Sequence, residues 1–222
     1  QGVSLTSVGF GMGNYNDDIL ESLANRGDGQ YIFVDTADEA RRVFTEEMSA
    51  TAQYIARDAK IQVEFNPARV RRYRLIGYEN RDIADRDFRN DEVDAGEVGS
   101  GQSATALYEI ELLPGRGAED AAGIASVYVR YRDLDTDGVD EISTRVDEWV
   151  LRERTPAESP RFLLAVCVAE FAELLRGSEF ARDSSFGDVR YVLEQVAAEL
   201  PLDERVGELL ALVRQAERLG QR

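Results

Sequence analysis

The spacing of apolar residues changes character twice along this chain, and each change commits a stretch to a different kind of structure. Through residue 56 the pattern reads strand, helix, strand, helix. From 57 to 154 apolar residues alternate, and from 155 to 222 they recur three and four apart. A strand turns successive side chains to opposite faces while a helix repeats about every 3.6 residues, so one pattern cannot serve the other structure. The chain therefore divides into an α/β part (1–56), an antiparallel β part of sandwich-like or half-barrel form (57–154) and a C-terminal helical bundle (155–222), α+β overall.

The first part opens with a strand from Val3 to Phe10 that closes on Gly9, Gly11 and Gly13. Asn16-Asp17-Asp18 then supplies the cap of a helix carrying Ile19, Leu20 and Leu23, which Gly27 ends. Gln30 to Asp35 is a second strand, and Thr36 with Glu39 is a capping-box pair opening a helix with Ala40, Val43, Phe44, Met48, Thr51, Ala52 and Ile55 at helical spacing. This order implies parallel strands joined by right-handed crossovers. Two parallel strands do not bury enough to stand alone, so the segment reads as the end of an α/β domain whose beginning precedes Gln1.

In the middle part Ile61, Val63 and Phe65 share one face, followed by Leu75 and Ile76, then strands over 103–113 and 124–131. Between them run loops rich in Asp, Glu and Gly, above all 79–101, with few apolar residues to anchor them. After Arg154, Ser159-Pro160 starts a helix that Gly177 stops, apolar nearly all round and so expected to be the buried, central one. Val189, Val192, Leu193, Val196, Ala197 and Leu200 mark a second, which Pro201 breaks. Val206, Leu209, Leu210, Val213 and Leu219 mark a third. Leu193 and Leu210 are expected at buried helix contacts.

The chemistry open to the chain is narrow. It has no histidine, which removes Ser-His-Asp and Cys-His sites and imidazole metal ligands, and a single lysine, Lys60, so P-loop and Schiff-base chemistry lose their residue as well. A net charge of −17 repels nucleic acid and acidic membrane surfaces. Cys167, within the apolar run 162–169, reads as a buried structural thiol. No apolar stretch reaches the ~20 residues of a membrane span.

Several motifs invite a functional reading that their context weakens. Gly9-Phe10-Gly11-Met12-Gly13-Asn14 has Asn14 where a dinucleotide loop needs its third glycine, and no lysine follows, so it is read as a turn requiring positive φ. Asp133-Leu134-Asp135-Thr136-Asp137-Gly138 matches the first half of an EF-hand loop, but the twelfth position is Thr144 where a bidentate Glu belongs; a solvated hairpin turn is expected, binding Ca²⁺ weakly at best. The pairs Asp17-Asp18, Glu46-Glu47 and Glu119-Asp120 read as solvated charge, and Trp149, Tyr128 and Tyr131 as core or sheet-face residues. No catalytic, cofactor-binding or metal-ligating residue is assigned in this chain.

Two stretches carry a resemblance. Residues 3–11, 20–24 and 29–34 resemble the closing strands and helices of a von Willebrand factor type A domain. Arg74-Leu75-Ile76-Gly77-Tyr78-Glu79-Asn80-Arg81, then 87–91, 94–97 and 105–110, are similar to the bacterial YfbK-like proteins, which join such a domain to a poorly characterised C-terminal region. The resemblance implies a Rossmann-like α/β remnant followed by the accessory region, a place at the cell envelope or outside the cell, and engagement of a protein partner. It also implies Mg²⁺ or another divalent ion held at an adhesion site built from Asp-x-Ser-x-Ser with a Thr and an Asp. None of those elements matches here; all are expected upstream of Gln1.

The expected function is non-enzymatic protein binding or scaffolding. The rival is an enzyme using a divalent cation and the carboxylates of the acidic loops, for which Glu79, Asp91, Asp94 and Glu97 would have to converge.

Overall fold

The computed structural model describes residues 5–11, 16–27, 29–47, 54–77, 83–93, 95–114 and 123–220, without the side chains of 46 and 47. The fold is mixed α/β. Among these residues, five α-helices accompany one short parallel pair of strands and two antiparallel sheets. The strands are β1 Ser7–Phe10, β2 Tyr31–Val34, β3 Tyr54–Phe65, β4 Val70–Ile76, β5 Gly96–Gly99, β6 Leu107–Leu112, β7 Ala125–Asp133 and β8 Val139–Val146. The helices are α1 Asp17–Arg26, α2 Ala37–Arg42, α3 Pro160–Leu175, α4 Phe186–Glu199 and α5 Glu204–Gly220. By compactness the chain groups into two units, each drawn from several stretches: 1–66, 82–105 and 121–146 in one, and 67–81, 106–120 and 147–222 in the other.

In the first unit β1 and β2 pair in parallel from Ser7↔Tyr31 to Phe10↔Val34. The crossover is fixed locally: the Asn16 side chain accepts from the Ile19 N–H, and Thr36 does the same for Glu39 at the start of α2. Gly29 is obligatory for steric reasons, since a Cβ there would lie 2.1 Å from the Leu5 carbonyl oxygen. Ala24, Val34 and Val43 are buried, yet Phe10, Ile19, Leu23, Phe33 and Phe44 all stand exposed, Phe10 stacked on Phe44.

The helix expected to run from Thr36 to Ile55 is shorter. α2 ends at Arg42 and continues as a π turn over Val43–Glu47; Met48, Thr51 and Ala52 lie outside the described residues. Ile55 belongs to β3, where Tyr54 opposite Gly99 begins the pairing with β5. A β-branched residue whose neighbours Tyr54 and Ala56 both pair with β5 follows the strand rather than the helical spacing.

The larger sheet has the order β5-β3-β7-β8, antiparallel throughout. Of the few apolar residues available to anchor the 79–101 loop, Phe88 holds the segment 83–93: it is buried and meets Tyr128 edge-to-face. Ile61, Val63 and Phe65 share one face as expected, since β3 pairs with β7 without interruption from Lys60 to Phe65, but Ile61 is half exposed on it while Lys60, on the opposite face, is buried.

In the second unit β4 and β6 pair antiparallel. α3, α4 and α5 share a core of Cys167, Val189, Leu193, Val196, Val206 and Val213, against which Leu209 and Leu210 are partly buried. Ser185 and Asp188 form a full capping box at the start of α4. α3 is not wrapped on all sides: only Cys167 and Glu173 are fully buried, and Phe162, Val168 and Leu175 are exposed. Glu173 ties α3 to β4, accepting from Arg74 Nη1 at 3.1 Å and from Ser178 Oγ at 2.7 Å, with Arg176 closing on its other oxygen. Arg74 also pairs with Glu109 and lies over the Phe180 ring. Arg69, itself buried, reaches Glu148 at 2.7 Å.

Candidate functional site

A dense grouping of charged side chains lies on one face of the four-stranded sheet, and a backbone irregularity creates it. Between Arg57 and Lys60 the β3 register slips: Arg57 faces Arg132 and Lys60 faces Arg130, so three steps on β3 match two on β7. Asp58 takes up the extra residue with φ +50, a conformation Asp tolerates better than most side chains. The slip turns Lys60, 4% exposed, onto the same face as Arg130 and Arg132. Cations placed directly across a strand pair repel, so the arrangement requires anions from elsewhere.

They come from β8 and from the segment that follows Phe88. Glu141 is the β8 partner of Arg130 and lies 3.6 Å from it. Three consecutive residues then close over the row. Arg89 donates to both Glu141 oxygens at 3.1 and 2.8 Å, the Asn90 carbonyl accepts from Lys60 Nζ at 2.6 Å, and Asp91 accepts from Arg130 Nη2 at 2.7 Å. Asp58 pairs with Arg132 at 3.3 Å. The hydrogen bond from Arg130 holds the Asp91 carboxyl below its usual range despite some desolvation, and Arg89 does the same for Glu141, whose charge raises Arg89 in turn. A shallow depression remains, lined by Asp58, Lys60, Asp91, Arg130, Tyr131, Arg132 and Val139, with room for about one water molecule.

Of the carboxylates named for the enzyme reading, Asp91 is paired with Arg130 and Glu97 sits half-buried on β5, while Glu79 and Asp94 lie outside the described residues. Among the described residues no group of three or more Asp, Glu or Cys side chains could hold a metal ion. The turn 133–138 joins β7 to β8, and Asp133 Oδ1 is occupied by the Asp135 and Thr136 N–H groups and the Thr136 hydroxyl, which pull its pKa down. Asp135 and Asp137 are exposed, and Thr144 sits on β8.

The remaining residues singled out from sequence are placed as follows. Gly11 has φ +78 with open space around it; Gly13 lies outside the described residues. Asp17 accepts from the Tyr31 hydroxyl. Glu119 and Asp120 lie outside the described residues. Burial pushes the Cys167 thiol up to about 11. Tyr128 packs on Phe88 and Tyr131 borders the depression, but Trp149 is not a core residue: it is 67% exposed, with Arg154 over its ring. Sequence reading missed Lys60, Arg89, Arg130, Arg132 and Glu141 as a set. The available signals were a lone lysine inside an alternating strand and a Phe-Arg-Asn-Asp run in a loop otherwise poor in apolar residues.

The fold and this charged face describe an acidic, mixed α/β protein whose main sheet is closed by an ion-paired loop. The family described as "Uncharacterized protein YfbK, C-terminal" matches residues 50–219, and the chain belongs to it. It is 32% identical to the "Uncharacterized protein YfbK" of Escherichia coli (strain K12) over 231 residues, an alignment covering 97% of this chain and 39% of that protein. The chain thus spans about two fifths of the length of the curated relative it matches.

Proposed function

We propose that this chain is a non-enzymatic binding or scaffolding module of a larger protein, with 1–56 the closing part of a Rossmann-like von Willebrand type A domain, 57–154 an antiparallel β accessory region and 155–222 a helical bundle. The observation that carries this reading is the β1–β2 pair. It is parallel, two strands wide, and leaves Phe10, Ile19, Leu23, Phe33 and Phe44 exposed, as expected of the edge of a larger α/β sheet. The pairing of charges on the main sheet supports it from the other side, because a general base or nucleophile needs an available group, and Asp91 and Glu141 are held as paired anions. The adhesion site with its divalent ion and a place at the cell envelope belong to the same proposal, and both rest on the resemblance.

The test is made on the longer protein. Cross-linking mass spectrometry in its own cells identifies a partner, whose affinity is then measured with purified components with Mg²⁺ and with chelator; saturable, Mg²⁺-dependent binding is expected. Divalent-cation-dependent turnover of any substrate in a broad hydrolase panel, lost in Asp91→Asn, would instead establish the enzyme reading.

A further inference from the structure

Lys60 is only 4% exposed, yet among the described residues its ammonium group has one acceptor, the neutral Asn90 carbonyl at 2.6 Å, and no ion pair. The other cations of the row are matched: Arg130 bonds Asp91, Arg132 bonds Asp58 and Arg89 bonds Glu141. An ammonium carries three donors, and a charge withdrawn from water without a counter-charge is costly. The shallow depression beside it shows the same imbalance. Lys60, Arg130 and Arg132 line it against Asp58 and Asp91, with Tyr131 and Val139 completing the wall, so one positive charge is in excess.

We propose that this depression binds one small monovalent anion, with chloride as its ordinary occupant and the Lys60 ammonium as its principal partner. Size and charge select the ligand together. The space holds about one water molecule, which admits a chloride ion and excludes phosphate or sulfate. A water molecule would satisfy donors but leave the buried charge uncompensated, and a cation is repelled by the surplus. Arg130 and Arg132 keep N–H donors beyond those given to Asp91, Asp58 and the Asp137 carbonyl, so the ion has further donors at hand. The net charge of −17 opposes anions from a distance, but salt screens that field over about 8 Å at physiological ionic strength, whereas Lys60 acts at contact and is buried. The anion takes the place of the missing carboxylate where the segment 89–91 crosses β3. Its hold is weak, in the millimolar range, because Asp58 and Asp91 line the same wall.

A ligand that binds only the folded chain raises its stability once its concentration passes the dissociation constant. The thermal midpoint of the full chain should therefore be higher in sodium chloride than in sodium gluconate at equal ionic strength, with bromide able to replace chloride. The chloride NMR resonance should broaden when the chain is added. Lys60→Met, which keeps the aliphatic stem and removes the charge, should abolish both effects. Arg132→Gln, at a partly exposed position, keeps the fold and should weaken chloride binding about tenfold; it serves as the test if Lys60→Met does not fold. Equal midpoints in the two salts, with no broadening, would mean that water alone fills the depression and overturn the proposal. Broadening that persists unchanged in Arg132→Gln and in folded Lys60→Met assigns the ion to another place and overturns it equally.

Discussion

Glu173 shows what one carboxylate does when it is placed inside. Burial alone would raise its pKa, and the Ser178 hydroxyl, Arg74 and Arg176 outweigh that effect, leaving it below its ordinary value of 4.5. A carboxyl lowered on folding contributes stability that is present above the ordinary value and is lost as pH falls through the lowered one. Glu173→Gln should therefore flatten the decline of the thermal midpoint between about pH 5 and pH 3; an equally steep decline in both proteins would show that the group does not titrate as described. Glu173→Ala should cost about 2–3 kcal/mol, at the low end for a broken buried pair because Arg74 keeps Glu109. Nothing in the sequence marked Glu173, since a single Glu in an apolar helix looks the same whether it faces water or an arginine from a distant strand. Cys167 was legible, because an isolated thiol in an apolar run has little else to do.

At the level of elements, the sequence expressed what is local and hid what is paired. The capping residues Asn16 and Thr36, the Pro160 start of α3 and the helical spacing in α4 and α5 all appear where the residues place them, because a helix bonds within itself. The bulge at Asp58 is another matter. It depends on which strand lies alongside β3, and so the burial of Lys60 and the charged face it organises could not be read from alternation. The same distinction separates two leucines expected to be equivalent: Leu193 is fully buried, whereas Leu210 is only partly so. Leu193→Ala should cost about 2–5 kcal/mol and Leu210→Ala clearly less. Equal losses in denaturant titrations of the two variants would contradict this ordering of the helical core.

For the molecule as a whole, the charge balance outweighs its arrangement. Even with Lys60, Arg130 and Arg132 gathered on one face, Asp58, Asp91 and Glu141 are interleaved among them, and the net charge of −17 surrounds them all. The chain should show no binding to duplex DNA by fluorescence anisotropy even at about 50 mM salt, where counterion release is most favourable to basic proteins; salt-sensitive micromolar binding would show that the face acts as a cationic patch after all.

The pairing of β3 with β7 also sets a schedule for synthesis. Phe65 meets Ala125, about 60 residues later in the chain, and no described strand between them covers that side of β3. At roughly 5–20 residues per second, the ribosome exposes β3 for on the order of 3–12 s before its partner is even made. During that interval the strand carries unpaired backbone and half-apolar faces, so a nascent chain stalled before Ala125 is the form most in need of a chaperone. The completed protein escapes that dependence only when β7 arrives.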